Sequence, residues 1–523
     1  MHPPPISGLP CDAELRREHR AGIHMTTSPF TIYSCRHVVG AGALGLVLWI
    51  GAAQARAGEH PAAPRPNIIF ILADDLGYGD LQCYGHPRIK TPHLDRLAGQ
   101  GTRFTQFYMS HSVCSPSRAS LLTGQYPSRW NLYAHLAWLR SNAQRGMPDW
   151  LAVAAPSLPR ALQQAGYRTA LFGKWHLGGG SGRNFGGKAI NSADAPSVGD
   201  YGFDRARVVA GNGPTWRGVE RREEAHDLYP YVDGLFLTAS SELIVDASLE
   251  FIADHRVKHR DQPFMVNLWL HDPHVPLKPT EAMRAPYADI EDPARQAYYA
   301  VVSNLDAQIG RLLARLDEWD LGKNTLVIFT SDNGAAAREG SRATSNIAPG
   351  VALDTDTAGS NGPLRGWKWH LYEGGIRVPL LVRWPGHVPV GRVDTASVLH
   401  ATDFFPTLLH AGGAAAPAGY RADGIDLGPA LAGQALRREE PICWQNPTAN
   451  RRGPSLAIRD GDWKLLMEQD GTDGQLFDLA RDESESTNLA SENPAKVATL
   501  RNRLLVWSRS LPPPLDRVAI EPP

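Results

Sequence analysis

The chain is poor in cysteine, nearly neutral in charge and without a long hydrophobic run. Of its 523 residues only five are cysteine. Cys11 and Cys35 lie in what reads as a presequence, which leaves Cys83, Cys114 and Cys443, too few for a disulfide framework even in an oxidising compartment. Formal net charge is −1, and neither a basic tract nor a nucleic-acid motif is present. Nucleic acid and an anionic membrane surface are therefore not expected as partners. Any anionic ligand must be held by a local cluster of cations. The apolar stretch from Val38 to Ala53 falls short of the ~20 residues that a spanning helix needs, so no stable membrane insertion is expected. No internal repeat is visible. What remains is a globular balance, 42% hydrophobic and 20% charged residues, in a chain long enough for more than one domain.

The N-terminus reads as an export signal. Arg36 and His37 precede the uncharged stretch Val38–Ala53, and Ala53-Gln54-Ala55 or Ala55-Arg56-Ala57 supplies the small residues of a cleavage site. No cysteine follows the apolar run, so a lipoprotein anchor has no support. Residues 1–57 are accordingly expected to be an export region, and the protein periplasmic or secreted. Residues before Met25 are Pro-rich and then charged (Glu14 to Arg20), which makes Met25 the alternative start.

Beyond a Pro/Ala linker, Asn67 to Leu72 is a continuous apolar run, read as a strand buried on both faces and ending in Asp74-Asp75. Thr91–Gln100 reads as a helix with Thr91 as N-cap and Pro92 at its first position. Ser157–Ala165 reads as another, followed by a strand through Tyr167 to Phe172 that ends in Gly173-Lys174-Trp175-His176. Pro263–Leu270 repeats the pattern and ends in His271-Asp272-Pro273-His274. A long amphipathic helix over Pro293–Trp319 carries Val301, Leu305, Ile309, Leu312 and Leu316 at helical spacing. The strand Thr325–Thr330 then ends in Ser331-Asp332-Asn333-Gly334. Strands alternating with helices predict an α/β domain with a mainly parallel sheet over residues 58–400. From about Ala401 the texture shifts to short strands. Ser455–Leu466 reads as a hairpin with a tight Asp-Gly turn, Leu476–Leu479 as a strand and Asn493–Ser508 as a helix. Residues 401–523 are thus expected to form a smaller α+β domain.

Four apolar runs finish in polar, chargeable residues, and in open α/β sheets ligands bind beyond the carboxyl ends of strands. Asp74, Asp75, Lys174, His176, His274, Asp332 and Asn333 are therefore candidates for one cleft. Asp74, Asp75, Asp332 and the Asn333 amide oxygen form a hard, all-oxygen set, suited to Ca²⁺ or Mg²⁺ rather than zinc.

The sharpest motif is Cys114-Ser115-Pro116-Ser117-Arg118-Ala119-Ser120-Leu121-Leu122-Thr123-Gly124. A lone cysteine is more often a small buried hydrophobe than a nucleophile, but this one sits among Ser, Pro and Arg. A nearby arginine lowers a thiol pKa, so an ordinary reactive cysteine is one reading of these residues. The run also matches Cys-x-Pro-Ser-Arg-x-x-x-Leu-Thr-Gly, and with it the chain resembles the type I, formylglycine-dependent sulfatases of the alkaline phosphatase superfamily, of the arylsulfatase and N-acetylgalactosamine-6-sulfatase kind. The resemblance runs from about Pro66 to Trp507.

The resemblance implies an alkaline-phosphatase-like fold: a large mixed, mainly parallel sheet flanked by helices, with the smaller C-terminal α+β domain. It implies that a formylglycine-generating enzyme converts Cys114 to an aldehyde, whose hydrate attacks sulfur, expels the alcohol or phenol and then releases sulfate. Asp74, Asp75, Asp332, Asn333 and the modified Cys114 would bind one Ca²⁺, with Mg²⁺ as the alternative. Arg118 would hold the formylglycine oxygen. Lys174 and His176 would bind sulfate and assist its release, His274 would protonate the leaving group, and Lys368 would bind sulfate from the opposite side. His271 is the rival of His274, while Arg365 and His370 are the rivals of Lys368. The substrate would be a small-molecule or glycan sulfate ester. The irregular stretches Gly178–Gly199 and Ala335–Ser360 are expected to border its pocket. Two other functions share these features: a phosphonate or phosphate ester hydrolase of the same superfamily, and a non-catalytic sulfated-glycan binding protein.

Overall fold

The computed structural model describes residues 65–137, 139–178, 196–209, 226–228, 235–337, 358–448 and 451–516. The export region, and most of the two irregular stretches, lie outside these residues. Within them no helix is long and apolar enough to cross a membrane.

Strand β1 (Asn67–Ala73) is the centre of the molecule. Its side chains alternate between two cores, Ile68, Phe70 and Leu72 on one face and Ile69, Ile71 and Ala73 on the other. Each large apolar side chain buried in this way stabilises by roughly 1.5–3 kcal/mol, which fixes the register of the strand. The other strands of the large sheet are β2 (Thr102–Tyr108), β3 (Arg168–Lys174), β4 (Arg205–Val209), β5 (His226–Leu228), β6 (Phe264–Trp269), β7 (Thr325–Ser331), β8 (Arg377–Arg383), β9 (Arg392–Asp394) and β10 (Leu399–His400). Their order is β10-β2-β8-β7-β1-β6-β3-β4-β5, with β9 pairing beside β2. Among the described strands of this large sheet, β8 alone runs antiparallel to its neighbours. The helix Pro293–Glu318 covers the second core with Val301, Leu305, Ile309, Leu312 and Leu316, all of them buried.

The order places β7, β1, β6 and β3 side by side, so their carboxyl ends lie within roughly 15 Å at the usual strand spacing. The ends are level, with Ala73 opposite Ser331, Leu72 opposite Trp269, and Trp269 opposite Gly173. Gly173 makes the last pairing possible. Its φ is +108°, and a Cβ there would lie 1.8 Å from the Trp269 carbonyl oxygen, an approach open only to glycine.

A second, antiparallel sheet follows: β11 (Ile442–Gln445), β12 (Leu456–Asp460), β13 (Trp463–Met467) and β14 (Gln475–Asp478). One face packs Trp444, Ala457, Leu466 and Phe477 against Tyr108 and Ile376 of the large sheet region. The other packs Ile458, Leu465 and Met467 against Val497, Leu500 and Leu504 of the helix Pro494–Arg509. The β12–β13 hairpin closes on Gly461-Asp462, with Asp460 paired to Trp463, so Gly461 takes the positive φ (+58°) as the first loop residue rather than the second. The change of sequence texture at Ala401 precedes this sheet. The helix Phe404–Gly412 still buries Phe404, Phe405 and Leu408 in the first core of the large sheet.

Candidate active site

Cys114 opens a ten-residue helix, Cys114–Thr123, every residue of which is buried. Arg118 follows four residues later and so shares its face. Pro116 lies in the first turn, where no amide hydrogen is required. The helix ends at Gly124, whose φ of +66° lets its amide return to the Ser120 carbonyl. The Cys114 Sγ lies 3.5 Å from Asp74 Oδ1 and 3.5 Å from Lys174 Nζ.

Around this sulfur three carboxylates meet three cations. Lys174 Nζ is 2.5 Å from Asp74 Oδ2. Arg118 grips Asp332 Oδ2 through Nη2 at 2.7 Å and Nε at 3.1 Å, and reaches Asp74 at 3.4 Å. Its Nη1 donates to the Lys174 carbonyl at 2.7 Å, and its guanidinium lies over the Trp269 ring. Lys368 Nζ is 2.7 Å from Asp75, and the Asn333 amide donates to the same carboxylate at 2.7 Å. His274 presents Nε2 to Asp75 at 3.5 Å, while its Nδ1 pairs with the Val275 carbonyl.

Burial opposes charge on every one of these groups, and the neighbours decide the outcome. For Asp74 burial raises the pKa, but Lys174, His274 and Arg118 outweigh it and hold the group well below the usual carboxylate range. Asp75 is lowered in the same way, with Lys368 and His274 overcoming burial. Asp332 is pushed up to about 6 by burial and by the Asp74 charge. Burial, then Asp332 and Asp74, push the Cys114 thiol well up, opposite to what a thiolate nucleophile needs. Burial keeps the His274 ring neutral, with a pKa of about 3, and also lowers His176.

The donor set is compatible with a divalent cation. Asp74, Asp75, Cys114 and His274 each offer a ligand atom, all within 4.8 Å of one another. Asn333 Oδ1 is buried and has no hydrogen-bond partner, the condition of an amide oxygen left for a metal. Asp332 is turned aside from that foursome, with Oδ2 on Arg118 and Oδ1 accepting the Asp75 amide at 3.2 Å.

Nine of the ten candidate residues thus connect through direct contacts. His176 stands one step out, its Nε2 against the Leu136 carbonyl at 3.2 Å and its Nδ1 without a hydrogen-bond partner. Geometry separates the rivals of Lys368: Arg365 lies over the Tyr372 ring and donates to the Glu485 carbonyl, while His370 accepts from the Trp367 amide. His271 lies beside His274, their ring centroids 5.5 Å apart. Gly334 brings the Asp332 turn against the Lys368 loop, since a Cβ there would meet the Gly374 carbonyl oxygen at 1.8 Å. Asp75 and His176 are two of the few non-glycine residues with positive φ, +64° and +54°, and such strain collects at functional sites. Sequence reading missed His135, whose ring centroid is 6.1 Å from that of His176. It belongs to no apolar run or motif that could have marked it.

Residues 66–414 match the sulfatase family model, and residues 365–508 match that of the C-terminal region of N-sulphoglucosamine sulphohydrolase. The chain is 33% identical over 441 residues to N-acetylgalactosamine-6-sulfatase of Canis lupus familiaris, covering 81% of this chain and 76% of that protein. It is 30% identical to N-acetylgalactosamine-6-O-sulfatase of Bacteroides thetaiotaomicron, over 84% of this chain and 92% of the relative. Among solved structures it resembles Ps i-CgsB in complex with k-i-k-neocarrahexaose, with a TM-score of 0.69, 27% identity, and coverage of 87% of this chain and 95% of that one.

Proposed function

The chain belongs to the sulfatase family and is an enzyme that hydrolyses sulfate esters, and from that premise we propose that its nucleophile is a formylglycine made from Cys114. One observation carries this reading: Cys114 Sγ sits 3.5 Å from both Asp74 and Lys174, at the centre of three carboxylates and three cations. The hydrated aldehyde would supply one hydroxyl to attack sulfur and a second whose deprotonation expels sulfate, so the side chain resets itself.

The remaining chemistry is divided among the neighbours. Arg118 orients the formylglycine oxygen. Asp332, held beside the site by Arg118 and the Asp75 amide, would be the aspartate that assists deprotonation of the attacking hydroxyl. Lys174 and Lys368 approach from opposite sides and neutralise the sulfuryl oxygens as charge shifts onto them. His274 directs Nε2 into the site. Its ring is neutral at rest, so it would first take up a proton beside the anionic substrate and then pass it from Nε2 to the leaving oxygen. His176 would assist release of sulfate. Asp74, Asp75, Asn333 and Cys114, with Asp332 beside them, would hold Ca²⁺ or Mg²⁺, which lowers the pKa of the attacking hydroxyl and offsets the carboxylate charge. The substrate is an aryl or carbohydrate sulfate ester. Maturation requires a formylglycine-generating enzyme, and residues 1–57 direct the protein to the periplasm or out of the cell. Residues 58–400 would carry the catalytic domain and 401–523 the smaller one.

The test is a mass spectrum of the tryptic peptide Phe104–Arg118, from protein made in a host that processes a known sulfatase in parallel. The aldehyde at Cys114 is expected. A thiol there, with the control converted, overturns the assignment.

A further inference from the structure

His135 lies outside every role assigned above, yet its main chain is fixed from three directions. The Leu136 amide donates to Ser115 Oγ at 2.9 Å, next to Cys114 on the nucleophile helix. The Leu136 carbonyl meets His176 Nε2, and the His135 carbonyl accepts Arg145 Nη1 at 3.0 Å. The imidazole is only half-buried, and its ring nitrogens make no hydrogen bond among the described residues. It stands between the two limbs of the site. Its ring centroid is 6.1 Å from His176 on the Lys174 side and 5.5 Å from Trp369 on the Lys368 side, where the planes meet at 78°.

Trp369 is also half-buried, and its amide is tied to the Ser112 carbonyl at 3.0 Å. Its φ is +80°. A bulky residue rarely adopts this left-handed conformation, and where it persists the surroundings enforce it, most often at ligand clamps and active sites. Packing against the first core sets the indole beside His135, next in sequence to Lys368.

Resting on the sulfatase reading above, we propose that His135 and Trp369 form the subsite for the sugar ring that bears the sulfate ester, with the indole against the C–H face of the ring and the imidazole hydrogen-bonded to a hydroxyl next to the sulfated carbon. A held imidazole with two open nitrogens offers one donor and one acceptor, the complement of a hydroxyl. Burial, then Arg145, Lys368 and Lys174, keep the ring neutral, with a pKa of about 3. It therefore adds no cation for a second sulfate. An aromatic face paired with a hydrogen-bonding edge matches the two sides of a pyranose, and a plain aryl ester would use only the first.

Steady-state kinetics on the full-length matured enzyme test this. The substrates are 4-nitrophenyl sulfate and a panel of N-acetylgalactosamine 6-sulfate, glucosamine 6-sulfate and neocarrahexaose sulfate. For the best sugar ester, His135→Ala and Trp369→Ala are expected to raise KM about tenfold or more, equivalent to about 1.4 kcal/mol of lost binding. His135→Gln, which keeps a donor and an acceptor, should recover part of that loss. For 4-nitrophenyl sulfate, His135→Ala should keep kcat/KM within about threefold, and thermal midpoints should confirm folding. Equal losses on both ester classes, or an unchanged sugar KM in both alanine variants, would overturn the subsite. So would turnover of 4-nitrophenyl sulfate with none of the sugar esters accepted. Turnover of neither class by the wild-type enzyme would instead overturn the sulfatase reading.

Discussion

Lys368 Nζ lies 2.7 Å from the Asp75 carboxylate, although 293 residues separate the two in sequence. The contact depends on a backbone lattice: the Lys368 amide donates to the Ala335 carbonyl at 2.9 Å, and the Gly334 amide to the Gly375 carbonyl at 3.1 Å. The loop carrying the cation is thereby fastened to the turn carrying Asp332 and Asn333. Asp75 and its neighbours outweigh burial and keep Lys368 protonated.

On the proposed function, replacing Lys368 with alanine removes a preorganised charge that would face the sulfuryl oxygens. We expect Lys368→Ala to lower kcat/KM by about 10²–10³, the usual effect of deleting one such donor. Assay with a sulfate ester and a circular dichroism spectrum of the variant check this. A folded variant with wild-type kcat/KM would remove Lys368 from the site.

Metal removal is the second case. Asp74, Asp75 and Asp332 converge, and Asn333 Oδ1 has no hydrogen-bond partner. A divalent cation held by these residues, as proposed, would relieve the repulsion and be ligated by the orphaned oxygen. Chelation is expected to abolish turnover and lower Tm, with recovery on adding Ca²⁺ or Mg²⁺. A saturating ion contributes about 3 kcal/mol at a hundredfold excess over its Kd. Recovery by Zn²⁺ alone would contradict the hard-ligand assignment.

The strand ends were legible because a buried apolar run that stops at Asp74-Asp75 or Asp332-Asn333 announces a polar edge. The order β7-β1-β6-β3 was not, because strand neighbours are set by packing between segments hundreds of residues apart. Cys114 and Arg118 were found by their motif, and the reason for their spacing, a shared helical face, emerges only once Cys114–Thr123 is a helix. β8 escaped notice although Arg377–Arg383 is wholly buried, since its apolar run carries no chemistry at its end. His135 and the positive φ of Trp369 have no local signal at all. Both arise from the convergence of distant loops.

A third prediction concerns Lys464 on β13, which was read only as part of a hairpin. Its Nζ lies 2.9 Å from Glu373 and 2.9 Å from Glu485, and none of the three side chains is exposed. For Glu373 burial raises the pKa, but Lys464, Arg377 and Arg459 outweigh it and hold the group near 2, whereas burial pushes Glu485 up to about 7. Lys464→Met leaves two buried carboxyls without their shared partner. The expected loss is about 3–5 kcal/mol in urea unfolding. A loss under about 1 kcal/mol would equate the triad with a surface pair.

The last prediction is a pH dependence set by Asp80. This fully buried carboxyl accepts from the Gly77 and Ser360 amides and from the Tyr298 hydroxyl, tying the turn after Asp75 to the segment entering the Lys368 loop. Burial outweighs those bonds and pushes its pKa up to about 7, against 3.8 unperturbed. Between these values the unfolded chain has lost the proton while the folded chain retains it. The folded state then binds more protons, so stability falls as pH rises from about 4 to about 7. The contribution is complete below the lower value and gone above the higher. Asp80→Asn removes the titration whatever its effect on absolute stability, so its Tm should decline less steeply over this window than that of the wild type. Parallel Tm-against-pH curves for the two proteins would show that Asp80 is already ionised in the folded state, its three donors having outweighed burial.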